Sequence, residues 1–171
     1  MSKSNITLIG MPGAGKSTVG VVVAKMLCKS FLDTDLLIQQ NTGKRLFEII
    51  REKGNEGFLK IEGDTISSLD VKNSVIATGG SAVLCEKAMK RLKEISTVVY
   101  LRIPVDALAK RLGDLNRRGV VLSEGQSIAD LYGERCPFYE KYADIIVDSD
   151  NFSQIQATAM KIVEYFDDIG I

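Results

Sequence analysis

Gly10-Met11-Pro12-Gly13-Ala14-Gly15-Lys16-Ser17-Thr18 decides how the rest of the chain reads. Gly10, Gly15, Lys16 and Ser17 match G-x-x-x-x-G-K-[ST], the pattern of a phosphate-binding loop. Just before it, Ile6-Thr7-Leu8-Ile9 is a short apolar run with β-branched residues, which reads as a buried strand. Just after it, Val19, Val22, Val23, Met26 and Leu27 return at helical spacing. Strand, loop and helix in that order give the pattern its structural context.

The physics of such a loop is specific. A triphosphate needs many hydrogen-bond donors close to its oxygens. Gly10, Gly13 and Gly15 lack Cβ, so backbone N–H groups can converge on an anion. The following helix aims its positive end at the same point. Gly13, Ala14, Gly15, Lys16, Ser17 and Thr18 are therefore the candidate nucleotide-binding residues. Lys16 is placed to reach the β- and γ-phosphates, and Ser17 Oγ to bind Mg²⁺. A dinucleotide fingerprint is excluded, because its third glycine falls on Thr18.

The chain has 171 residues, enough for one domain with a sizeable core. Its 22 basic and 22 acidic side chains cancel, so there is no footprint of nucleic-acid binding and any basic residue that matters acts locally. No apolar run is long enough to span a membrane, and the stretch before the loop is too short for a signal peptide. Cys28, Cys85 and Cys136 are far apart, without metal spacing, and fit a reducing, cytoplasmic setting. The absence of histidine excludes a Ser-His-Asp mechanism and histidine-ligated zinc. It points to chemistry carried by positioning and charge, as phosphoryl transfer is.

Strand and helix patterns alternate. Phe31–Asp33, Val75–Thr78, Thr97–Leu101 and Asp144–Asp148 read as further strands. Helices are predicted over Asp35–Gln40, Leu46–Ile50 (closed by Gly54), Phe58–Leu69 with Gly63 as a weak spot, and Cys85–Ile95. Others run from Pro104 to Leu112, from a Ser127 cap toward Glu134, over Phe138–Tyr142 after an interruption at Pro137, and from a Ser153 cap to about Phe166. Gly113–Gln126 reads as a mobile loop. Such alternation predicts a five-stranded parallel sheet covered on both faces, a three-layer α/β/α domain spanning residues 1–171. Ligands then bind at the carboxyl ends of the strands, where Gly10–Ser17, Asp33–Asp35, Gly79–Ser81 and the segment after Leu101 gather.

A GTPase would carry Asn-Lys-x-Asp, which is absent. One strand that ends in acid is Phe31-Leu32-Asp33, followed by Thr34-Asp35. With period two, Asp33 and Asp35 face the same side. One can hold Mg²⁺ or its water shell; the other can meet a substrate hydroxyl as base or positioning residue. The plainer alternative is an aspartate capping the next helix.

These residues carry a resemblance to shikimate kinases over nearly the whole chain. GMPGAGKST is similar to that family's GxMGxGKST with two positions exchanged, and Leu32-Asp33-Thr34-Asp35 to its strand-two D-[ST]-D. Ala77-Thr78-Gly79-Gly80-Ser81 is similar to A-T-G-G-G. Arg135-Cys136-Pro137-Phe138-Tyr139 with Tyr142-Ala143-Asp144 is similar to R-x-P-x-Y-x-x-x-A-D. The resemblance implies a fold like that of nucleoside-monophosphate kinases, with a lid over about 113–126 and a substrate-binding helical region over about 34–62. It implies ATP and Mg²⁺, with Asp33 and Ser17 serving the metal. Asp35 would bind and assist the acceptor hydroxyl, Gly79, Gly80 and Arg135 would bind the acceptor, and Arg118 on the lid would join Lys16 and Asp35 in catalysis. The expected protein is a cytoplasmic monomer acting on shikimate or a similar hydroxy acid. Independently, an arginine on a closing loop can neutralise a phosphoryl group in flight, and the planar fork of Arg135 suits a carboxylate.

The departures fall on the acceptor side. Gly57-Phe58-Leu59-Lys60-Ile61-Glu62 stands where the family has G-F-R-x-x-E, so Leu59 replaces an arginine that holds the acceptor carboxylate. Lys60 lies about 100° further around a helix and does not replace it. Ser81 stands for the third glycine, and Gly119-Val120-Val121 follows Arg118 where the family has P-L-L. Losing one charge-assisted contact costs roughly 1.5–3 kcal/mol. Three alternatives follow: a kinase of another small hydroxy acid or sugar acid, a nucleoside-monophosphate kinase, since GMPGAGK also resembles adenylate kinase, or an ATP-binding module without catalysis. Adenylate kinases usually follow the lysine with Gly-Thr, whereas Ser17-Thr18 stands here.

Overall fold

The computed structural model describes residues 3–111, 120–121, 125–149 and 155–168. Five parallel strands form one sheet in the order β2-β3-β1-β4-β5: β1 Asn5–Ile9, β2 Ser30–Asp33, β3 Ser74–Ala77, β4 Ser96–Arg102 and β5 Ile145–Asp148. Every residue of β1 and of β3 is buried, as a sheet covered on both faces requires.

The connections place the helices. The chain leaves β1 toward one edge through α1 (Lys16–Met26) to reach β2, and leaves β3 the other way through α4 (Glu86–Ile95) to reach β4. Right-handed crossovers in opposite directions put these helices on opposite faces. α5 (Val105–Arg111) and α6 (Ile128–Tyr142) follow β4, and α7 (Ile155–Asp168) returns to pack on α1. Between β2 and β3 the chain inserts α2 (Thr34–Thr42) and α3 (Leu46–Ser67), which pack together. The main core runs along the sheet, and Ile38, Ile49, Phe58 and Val121 form a satellite core under the insert.

Some local expectations hold and others change. Gly54 does end one helical stretch, with φ 70 and ψ 176 inside α3. Gly63, expected as a weak spot, is a close-approach position instead: a Cβ there would lie 2.6 Å from Cys85 Sγ. Pro137 does not interrupt its helix. It removes one N–H from the exposed face of α6, while Leu131, Arg135 and Tyr139 bury the opposite face at four-residue spacing, and that packing outweighs one lost bond. Arg135 therefore sits in mid-helix, not at a helix end. Ser127 caps α6 as predicted, in a reciprocal box with Asp130. Ser153, Arg118 and most of the expected lid over 113–126 lie outside the described residues.

Candidate active site

The loop after β1 packs into the turn after β3. A Cβ on Gly80 would lie 2.6 Å from Pro12 Cδ, so the two segments meet without room for a side chain. Thr78 fastens the same turn to the centre of the sheet, donating from its N–H and its hydroxyl to the Leu8 carbonyl. Above this junction, beyond the carboxyl ends of the strands, lies a cavity of about 530 Å³. This is where an open parallel sheet binds ligands.

Of the residues named from sequence, Gly13, Gly15, Lys16, Ser17, Thr18, Asp35, Gly79, Gly80 and Arg135 line that cavity. Ala14 is buried beneath the loop. Asp33 lies behind the wall and reaches it through Ser17. Gly15, with φ 90, precedes α1 and leaves its first turn without a side-chain cap. That leaves the helix tip open to an anion, as a phosphate cradle needs.

Lys16 folds back over its own loop, its Nζ donating to the Gly10 carbonyl at 2.8 Å and the Met11 carbonyl at 2.9 Å. An ammonium has three donors, so one remains for a phosphate oxygen. Burial lowers its pKa to about 8, opposed by the carboxylates of Asp35 and Asp33. It is still charged at neutral pH.

Asp33 and Asp35 are arranged differently from the sequence expectation. β2 ends at Asp33, and Asp35 belongs to the first turn of α2, so period two does not relate them. Asp33 is itself the helix cap: its Oδ1 accepts from Asp35 N–H at 2.9 Å and from Leu36 N–H at 3.3 Å. Its Oδ2 accepts from Ser17 Oγ at 2.6 Å. One carboxylate therefore both caps α2 and holds the Ser17 hydroxyl. Asp35 turns into the cavity. Burial first, then Asp33, raises its pKa to about 6 against the pull of Lys16, and its Oδ1 is buried without a partner.

Arg135 is 2% exposed, an extreme value for an arginine. One terminal nitrogen donates to the Val121 carbonyl at 2.7 Å, while Nε is buried without a partner. A guanidinium with an orphaned donor beside a cavity suits a carboxylate ligand. Tyr139, one turn on along α6, donates its hydroxyl to the Gly80 carbonyl at 2.6 Å and so ties that helix to the turn after β3. Phe58, Val120 and Val121 supply an apolar wall. Leu59 is absent from the wall and packs beside the satellite core, and Lys60 is exposed.

Glu62 was legible only as a retained motif position. It is 1% exposed, its Oε2 accepts from Ser81 Oγ at 2.7 Å, and its Oε1 has no partner. Burial raises its pKa to about 7. The Ser81 hydrogen bond opposes that rise, Asp35 adds to it, and Arg135 and Lys16 oppose it. The signal was present: Phe58, Glu62 and Ile66 recur every four residues, so an acid stands in an apolar stripe.

The donor set near Ser17 and Asp33 is all oxygen, which fits Mg²⁺ rather than a softer metal. No group of three or more His, Cys, Asp or Glu side chains that could hold a metal occurs among the described residues. No described helix is long and apolar enough to cross a membrane.

Comparisons with known proteins agree with this geometry. The family model described as "Shikimate kinase" matches residues 12–167. A shikimate kinase of Moorella thermoacetica is 39% identical over 162 residues, covering 94% of this chain and 92% of that protein. One of Clostridium botulinum is 34% identical over 163 residues, covering 94% and 98%. A solved structure, the shikimate kinase of Acinetobacter baumannii in complex with shikimate, superposes with a TM-score of 0.88 at 31% identity, covering 98% of this chain and 94% of that one.

Proposed function

The chain belongs to the shikimate kinase family, and from that premise we propose that it transfers the γ-phosphoryl group of ATP to the 3-hydroxyl of shikimate. It is a phosphotransferase with an alcohol acceptor. The observation that carries the reading is the single cavity into which Lys16, Ser17, Asp35, Gly79, Gly80 and Arg135 all open.

The nucleotide binds with its terminal phosphates against Gly13–Thr18, where loop amides, the uncapped tip of α1 and the free donor of Lys16 converge. Ser17 and Asp33 would hold Mg²⁺, which when bound neutralises phosphate charge. Arg135 takes the acceptor carboxylate through its unpartnered Nε, and the Gly79–Gly80 backbone fits against the ring. Asp35 orients the attacking hydroxyl. As the oxygen–phosphorus bond forms and the bond to ADP breaks, the hydroxyl proton passes to the Asp35 carboxylate. Its raised pKa makes it a better acceptor than an ordinary aspartate. Lys16 follows the charge from γ-phosphate to leaving group, and Arg118 on the lid over 113–126 adds a second cation. The substrate-binding helical region is 34–62, and the whole chain acts as one cytoplasmic, monomeric kinase domain, free of nucleic acid and membrane.

ADP release measured with shikimate beside a panel of other hydroxy and sugar acids tests this reading. Turnover on shikimate well above the panel supports it; preference for another acid replaces the acceptor. Leu59, packed away from the wall, favours that second reading. ATP binding with no acceptor phosphorylated would leave a nucleotide-binding module.

A further inference from the structure

Glu62 takes part in none of the ion pairs among the described residues. Its hydrogen-bond partner is the Ser81 hydroxyl, on Oε2. Oε1 has no polar partner, yet it does not face empty space. A Cβ on Gly79 would lie 2.3 Å from Glu62 Oε1 and 2.8 Å from Asp35 Oδ1, the other buried carboxyl oxygen without a partner. Two orphaned oxygens, one from α3 and one from α2, thus converge behind the backbone of Gly79. The front of that backbone, with Ser81, lines the acceptor side of the cavity. The far end of the turn is held by Tyr139. A buried carboxyl costs more than an apolar side chain of the same volume, so as a mere prop it is a poor choice.

We propose that Glu62, locked in place by Ser81, is a positioning residue that presses the Gly79–Ser81 turn and Asp35 into the arrangement that holds the acceptor hydroxyl. The inference rests on the acceptor-kinase reading above. Glu62 keeps Asp35 Oδ1 turned toward Gly79, which leaves Asp35 Oδ2 for the acceptor. Ser81 holds Oε2, and Oε1 lies with Asp35 Oδ1 against the Gly79 backbone. Lys16 on α1, Asp35 on α2, Arg135 on α6 and the Ser81 hydroxyl are the groups that act on it. When pH rises past about 7 the acid ionises, a second negative charge appears behind the turn, and acceptor binding weakens.

Initial rates with shikimate and Mg²⁺-ATP between pH 6 and 9, with thermal melts, test this on the wild type, Ser81→Ala, Glu62→Ala and Glu62→Gln. Ser81→Ala is expected to raise the acceptor KM about tenfold while the ATP KM moves less than about twofold. Glu62→Ala moves it further in the same direction. Glu62→Gln rescues most of that loss, since an amide accepts from Ser81 and offers an N–H in place of the acid proton. It also removes the rise in acceptor KM that the wild type shows above about pH 7. Lowered melting temperatures with an unmoved acceptor KM, or a Gln variant that follows the wild-type pH profile, overturn the proposal. If Glu62→Ala does not fold, Ser81→Ala decides alone. A wild type silent on shikimate overturns the acceptor reading and this inference together; wild-type turnover with unmoved variants overturns this inference only.

Discussion

Ser17 Oγ donates a 2.6 Å hydrogen bond to Asp33 Oδ2, and the other oxygen of that carboxylate caps α2. The start of α1 and the start of α2 are thus fixed to one side chain at the place where a divalent cation would sit. Asp33→Asn keeps an oxygen for the cap but loses the charge. Its unfolding free energy is expected to fall by less than about 1 kcal/mol, while the Mg²⁺ concentration for half-maximal rate rises at least about tenfold. Asp33→Ala loses the cap as well, at about 1–2 kcal/mol in urea melts. Equal metal dependence in the wild type and the Asn variant would remove Asp33 from the metal site.

Lys16 is held by two carbonyls of its own loop, so its removal should leave the sheet untouched and take away the cation proposed to meet the transferring phosphate. Lys16→Ala is expected to lower kcat by about 10²-fold or more, roughly 3 kcal/mol of transition-state stabilisation, with an unchanged circular dichroism spectrum. A near-wild-type rate contradicts the loop assignment.

The fold was legible because local and global signals agree in it. Gly10, Gly13 and Gly15 all take the positive φ that glycine favours, and the apolar runs at Ile6, Val75 and Val98 are buried as the strands of a covered sheet. Where sequence reasoning erred, packing outweighed a local rule. Pro137 is tolerated because Leu131, Arg135 and Tyr139 fix the helix around it. Asp33 and Asp35 meet one site through a strand-to-helix corner, which a two-residue period does not describe. The four-residue stripe marks Glu62 as buried but not what it touches, since its partner Ser81 is 19 residues away. Hydrogen bonds between side chains of distant elements leave no periodic trace in a sequence.

Gly79 is the contact point between the turn and both buried carboxyl groups, which makes its missing side chain a requirement. Gly79→Ala places a methyl group 2.3 Å from Glu62 Oε1 and 2.8 Å from Asp35 Oδ1. Overpacking of this kind costs about 1–3 kcal/mol. The expected result is a lowered melting temperature together with an acceptor KM raised at least about tenfold, and little change for ATP. Unchanged acceptor kinetics would place the acceptor elsewhere in the cavity.

Leu59 stands where the resemblance implies an arginine, and it packs against the satellite core of Ile49 and Phe58. Leu59→Arg adds a cation whose stem can lie along Phe58. If shikimate is the acceptor, its KM is expected to drop about tenfold, the gain of one charge-assisted contact. An unchanged KM in steady-state assays means that the acceptor carboxylate does not approach α3.

Glu62 also makes stability depend on pH in a way that can be isolated. Its pKa rises from an ordinary 4.5 to about 7 on folding, chiefly through burial. Between those values the folded protein holds a proton that the unfolded chain has released. Stability from this group is therefore complete below the lower value and declines as pH rises toward the upper one, by roughly 3 kcal/mol in all. Glu62→Gln has no such proton. The difference in unfolding free energy, variant minus wild type, should grow across that window and level off above it, while Asp35 and the other carboxylates largely cancel. Urea denaturation of both proteins at half-unit pH steps measures it. A difference that stays flat means Glu62 is already ionised in the folded protein, held by the Ser81 hydroxyl and the two nearby cations.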